Sequence, residues 1–205
     1  MPPPREAEGA AGPAMARIFD WPYRALLAGV LALGLSPMQL TVLGLLTNVA
    51  LGALLLRGEA LAAGILLVPA GVFDVLDGAV ARARGTASRL GAFTDAVLDR
   101  VSDVILFGCT FWMLAAQGRE LEAGLALATL VISLGVSHVR AEAEAAGVSL
   151  SEGLFQRLER YIAMVLALSV PGMMLPMLVL LPALGGVTLA QRAWSALARV
   201  GVAEG

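Results

Sequence analysis

The chain has 205 residues, 59% of them hydrophobic and 15% charged, with a mean hydropathy of +0.83. A soluble domain averages about 45–50% apolar and about 25% charged, so these values exclude an ordinary soluble protein and indicate an integral membrane one. Cys109 stands alone, which excludes a disulfide framework or a cysteine metal cluster, and the net charge of −2 says less than its placement, because all 14 basic residues are Arg.

In chain order, residues 1–13 are Pro- and Gly-rich with two Glu and read as a disordered cytosolic tail, leaving 14–205 as one membrane domain. Trp21 and Tyr23 then flank Pro22 among Arg17, Asp20 and Arg24. Aromatics with basic neighbours favour the headgroup layer, so an N-terminal interfacial amphipathic helix is expected here. The apolar run 25–35 is too short to span, since a span needs about 20 residues. Ser36 as N-cap and Pro37 at the first helical position open the first span, Pro37–Leu56. Further spans are expected over 60–82, 88–117, 121–145, 153–170 and 175–189, the last kinked by Pro182. The fold class is therefore all-α, with six transmembrane helices preceded by the interfacial helix. With the N-terminus inside, twelve Arg fall on the cytosolic side and only Arg57 and Arg119 on the other. That bias places both termini on the cytoplasmic side of the cell membrane.

Residues 74–103 hold five of the six Asp: Asp74, Asp77, Asp95, Asp99 and Asp103. Carboxylates beside apolar runs are expensive and mark a site with a bound partner. On a helix, residues three and four apart share a face, so Asp74, Asp77, Gly78, Ala81 and Arg82 form one stripe. Gly91, Asp95, Asp99 and Asp103 form a second on the next helix. The connection 83–90, with Gly85, Thr86 and Ser88, can turn the two stripes to face each other. Converging carboxylates cannot all stay ionised unpaired, and oxygen-only donors suit Mg²⁺ or Mn²⁺ rather than zinc. Two such ions would balance four carboxylates. Gly78, Ala81, Gly91 and Ala92 leave room beside them, and Arg82 and Arg84 suit phosphate. The apolar run 104–116 is too short to cross a bilayer, so the Asp-bearing turns must complete that span and sink the site below the headgroups.

The pattern Asp74-x2-Asp77-Gly78-x2-Ala81-Arg82-x8-Gly91-x3-Asp95-x3-Asp99 resembles the signature of the CDP-alcohol phosphotransferases. The resemblance implies a six-span membrane enzyme, usually a homodimer, that uses a divalent metal to displace CMP from a CDP-linked lipid with an alcohol. By that resemblance Asp74, Asp77, Asp95 and Asp99 hold metal, and Asp99 is also the base for the attacking hydroxyl. Gly78, Ala81, Arg82 and Gly91 would line the CDP pocket. The segment Ser36-Pro37-x3-Thr41 is similar to the family's first-helix start and adds Thr41 to that pocket, although Met38 replaces a common Asn.

A second stretch, 137–160, resembles the corresponding region of phosphatidylinositol phosphate synthases and their archaeal relatives. Ser137, Arg140, Ala141, Ala143, Glu144, Gly153, Arg157, Glu159 and Arg160 stand at matching places. The resemblance implies that Arg140 and Arg157, with Arg160, bind the phosphate of inositol phosphate. His138, Glu142, Gln156 and Leu158 depart from the pattern, and Glu142 puts an anion where a cation is usual. The expected reaction joins a CDP-diacylglycerol-type lipid to inositol phosphate, giving phosphatidylinositol phosphate, with no nucleic-acid partner. Glycerol 3-phosphate is the alternative acceptor. A prenyltransferase would carry two separated Asp-rich motifs, and a divalent-cation transporter an inverted repeat of its acids; neither pattern is visible.

Overall fold

The structure is a computed structural model that describes residues 23–148 and 157–203. The expected tail and most of the interfacial segment, including Arg17 and Trp21, lie outside the described residues, as do Gly153 and Gln156. Among the described residues the chain is helical throughout: α1 (Tyr23–Ala32), α2 (Pro37–Leu56), α3 (Ala60–Ala83), α4 (Arg89–Ala116), α5 (Glu120–Ala145), α6 (Arg157–Ser169) and α7 (Met174–Ala203).

Local chemistry accounts for the boundaries. Ser36 Oγ accepts from the Gln39 amide while Gln39 Oε1 accepts from the Ser36 amide, a reciprocal cap with Pro37 at the first position. Ser88 caps α4 by accepting from the Gly91 amide at 3.0 Å. Between them Gly85, at φ +67°, supplies the left-handed turn that reverses the chain and lays α4 back along the bundle. The last helix departs from expectation: it runs to Ala203 with Pro182 inside it, rather than ending near 189. Residues 190–203 are mostly good helix formers without a proline, so nothing local stops the helix.

Four helices, α2, α3, α5 and α7, are long and apolar enough to cross a membrane, which makes this a membrane protein. Packing links α2 to α3 and α4, α4 to α5, α5 to α7, α3 to α6, and α6 to α7. Small residues set the closest approaches, as expected where lipid supplies no hydrophobic contrast. A Cβ on Gly64 would stand 2.4 Å from Ser169 Oγ on α6, and one on Gly52 would stand 2.7 Å from Ile105 Cγ2 on α4. Leu51, Leu67, Phe107, Leu114, Met164 and Leu178 belong to the main core, whereas Leu27 of α1 packs with Leu40, Leu76, Ala79 and Val80. Helix α1 is thus held beside the start of α2 and the acidic end of α3. Large apolar side chains such as Leu46, Ile65, Val131 and Val179 stay exposed on the outer faces, where lipid would cover them.

Candidate metal and phosphate site

Helices α3 and α4 present their acidic stripes toward one another. Carboxylate oxygens of Asp74, Asp95 and Asp99 lie within 4.8 Å of each other, close enough to hold one cation. Two unit charges at that separation repel by about 3 kcal/mol at an effective dielectric of about 20, so the trio requires a counter-charge. Part of it comes from α6. Arg157 Nη1 donates to Asp74 Oδ2 at 2.7 Å and also to Asp99 Oδ1, while Nη2 donates to Tyr161 Oη at 3.1 Å. The Tyr161 ring lies under the guanidinium, 5.1 Å from its centre, and Gly71 lets α3 close on that ring. Oxygen donors converging this closely are hard ligands and fit a divalent cation.

Asp77 is held differently. It is 7% exposed, its Oδ2 accepts from Thr41 Oγ1 at 2.7 Å, and its Oδ1 accepts from the Gly78 amide at 2.5 Å. Thr41, expected beside the nucleotide, therefore orients an acid of the motif from the neighbouring helix. Asp74, Asp77 and Asp95 nevertheless share the wall of one cavity of about 20 Å³ with Thr41, Asn48 and Ser102. That is room for about one water or ion.

The small residues flank this group. The guanidinium of Arg82 folds back over Gly78, where a Cβ would stand 3.2 Å from Nη1. Ala81 is half-buried, and Gly91 lies exposed in the first turn of α4 with its amide on Ser88. The three candidate Arg of the acceptor region separate. Arg157 reaches the carboxylates. Arg160 sits one turn further along α6, with Nη2 3.2 Å from Asp103 Oδ2 and Nη1 bonded to Ser133 Oγ, which itself donates to Asp103. Arg140 pairs with Glu144 at 2.8 Å on the exposed face of α5, and Glu142 lies 3.8 Å from His138 there. Asp103 thus leaves its own stripe's cluster for a buried partner on another helix.

Sequence reading missed Asn48, Ser133 and Tyr161. Asn48 did carry a signal, being the single asparagine of the chain and lying in the middle of an apolar span. Tyr161 is four residues from Arg157, on the same helical face. Ser133 had none, because its contacts are all to other helices.

Comparison with known proteins agrees with this arrangement. The family model described as CDP-alcohol phosphatidyltransferase matches residues 35–199. The phosphatidylinositol phosphate synthase of Mycobacterium marinum is 39% identical over 140 residues, which cover 67% of this chain and 59% of that protein. The chain therefore spans less than two thirds of that relative's length. The crystal structure of Mycobacterium tuberculosis phosphatidylinositol phosphate synthase with CDP-DAG bound has a TM-score of 0.75 and 32% identity, covering 85% of this chain and 92% of that one. The same enzyme in complex with manganese and citrate has a TM-score of 0.76 and 31% identity, over 85% of this chain and 88% of that one. The matched region takes in the whole acidic stretch and the helices that carry it, and the chain belongs to the CDP-alcohol phosphatidyltransferase family.

Proposed function

We propose that this protein transfers the phosphatidyl group of a CDP-diacylglycerol-type lipid to inositol phosphate, releasing CMP and giving phosphatidylinositol phosphate. The observation that carries the reading is the convergence of Asp74, Asp95 and Asp99, with oxygens within 4.8 Å, on the guanidinium of Arg157. The names of the M. marinum and M. tuberculosis relatives support the acceptor.

Asp74, Asp77, Asp95 and Asp99 would hold the metal, two Mg²⁺ ions with Mn²⁺ as a substitute, the second answering the charge that the diphosphate brings. A divalent cation bound there supplies neutralisation of the diphosphate as CMP departs. Thr41 keeps Asp77 pointed into the site. Gly78, Ala81 and Gly91 leave the clearance for the cytidine diphosphate, and Arg82 closes over it. Asp99 takes the proton from the acceptor hydroxyl, whose oxygen bonds to the lipid-side phosphorus as the bond to CMP breaks. Arg157 already faces the carboxylates and is the natural partner for the acceptor phosphate. Arg140 joins it from the exposed face of α5, and Arg160, committed to Asp103, contributes by placing the helix that carries Arg157.

The reading further takes residues 14–205 as one membrane domain with six spans, α4 and α6 joining the four apolar helices. The domain acts as a homodimer, with its site open to the cytoplasm. Purified protein given CDP-diacylglycerol and either inositol phosphate or glycerol 3-phosphate should release CMP with the first. Release with glycerol 3-phosphate alone would overturn the acceptor, and release with neither, alongside metal uptake in liposomes, would favour a transporter.

A further inference from the structure

Helix α2 contributes a second polar residue to the acidic cavity, about two turns below Thr41. Asn48 is 4% exposed, and its Nδ2 donates to the Gly44 carbonyl at 3.0 Å. That carbonyl can only accept, so the amide orientation is settled: the NH₂ faces Gly44 and Oδ1 faces away. Oδ1 is buried and has no hydrogen-bond partner among the described residues. Asn48 lines the same cavity of about 20 Å³ as Asp74, Asp77 and Asp95, with Ser102 and Ala70 at its own level. An unsatisfied buried acceptor costs about 1–3 kcal/mol. It is an odd residue to keep in an apolar span, unless a donor or a cation meets it.

The helical rise sets the depth of Asn48 in the cavity. Helices α2 and α3 run antiparallel, and Thr41 meets Asp77. Asn48 lies seven residues beyond Thr41, about 10 Å along the axis, while Asp74 lies three residues before Asp77, about 4.5 Å along the same direction. The backbone of Asn48 is therefore about 6 Å deeper than that of Asp74, which puts its amide at the floor of a cavity with room for about one water. A water there would find acceptors on two sides, Asn48 Oδ1 and the carboxylates. A water that lends its own oxygen to a cation is polarised to donate its protons more strongly.

We propose that Asn48 is a positioning residue for the metal site: its Oδ1 accepts a hydrogen bond from a water that occupies the floor of the cavity and completes the shell of the cation held above. The inference rests on the metal-site reading given under the proposed function, and it sets beneath the carboxylates a neutral hydrogen-bond acceptor from a different helix. Outer partners of this kind typically change metal affinity by about 10–100-fold when lost.

The test is the affinity of the detergent-solubilised protein for Mn²⁺ alone, followed by electron paramagnetic resonance without substrates. Asn48→Leu keeps the branching at Cγ and removes the acceptor, and should bind Mn²⁺ about tenfold more weakly. Asn48→Asp keeps an acceptor and should bind at least as tightly as the parent. Equal affinity of Asn48→Leu and the parent would overturn the inference. So would a loss in Asn48→Asp as large as that in Asn48→Leu, because the amide would then matter only through packing. If Asn48→Leu does not fold, Asn48→Val, which also lacks the acceptor, takes its place with the same expectation. Failure of the parent protein itself to bind Mn²⁺ would sink the metal-site reading, a result distinct from either of these.

Discussion

Asp99 and Arg157 show how much of the chemistry lies in single side chains. Asp99 shares one guanidinium with Asp74, so its carboxylate is both anchored and near the other acids. Asp99→Asn preserves shape and one oxygen but cannot take a proton. In the proposed reaction its turnover should fall by about 10³-fold, the range of a lost general base, while binding of the CDP-linked lipid stays within a few-fold. CMP release and a lipid-binding isotherm measure the two quantities. Near-normal turnover in this variant would remove Asp99 from the role of base. The acids themselves were legible because five of six Asp fall within thirty residues and their spacing repeats the helical period. The hydroxyl of Thr41 on Asp77 was not, since it joins residues 36 positions apart.

At the scale of elements, α4 and α6 are joined by two charge pairs one turn apart, Asp99 with Arg157 and Asp103 with Arg160. The deeper pair is nearly closed to solvent, with side chains 5% and 13% exposed, and Ser133 of α5 joins it. Removing one partner leaves a buried charge alone, whereas replacing both by apolar groups of similar size is often neutral. Asp103→Leu or Arg160→Met alone should each destabilise the protein by about 3–5 kcal/mol. The double variant should recover most of that loss, as read from thermal unfolding in detergent. Losses that simply add would show that the two side chains do not act as a pair. The period of the Asp stripe placed Asp103 on the face of Asp95 and Asp99 but could not say that α5 and α6 would claim it. Likewise, the apolar pattern puts the end of α7 near 189, whereas the helix runs to Ala203. A sequence pattern marks where apolar character fades, and a helix of favourable residues continues past that point.

For the whole molecule, the helix order returns the chain to the acidic end of the bundle after every second element. The starts of α2, α4 and α6 and the ends of α3 and α5 therefore gather around one site. The Arg bias predicts that this end faces the cytoplasm. In a Cys109→Ser background, Arg84→Cys should react with a membrane-impermeant maleimide only in inside-out vesicles, and Arg57→Cys only in intact spheroplasts. Both positions are exposed, so accessibility from the aqueous side is the variable measured. The reverse pattern would invert the topology.

The chain alone determined properties that depend on near neighbours. These are its apolar spans, the caps at Ser36 and Ser88, and the grouping of acids on single helical faces, all governed by a repeat of 3.6 residues. Tertiary structure decided which of those faces meet. Arg157 rather than solvent answers Asp74 and Asp99, Asp103 turns to Arg160 and Ser133, and the buried amide of Asn48 opens toward the same cavity as the motif acids. The physical reason is that spacing within a helix sets the angle between its own side chains but not its rotation or depth against a neighbour. Those are set by contacts between helices, such as the close approaches at Gly52, Gly64 and Gly71.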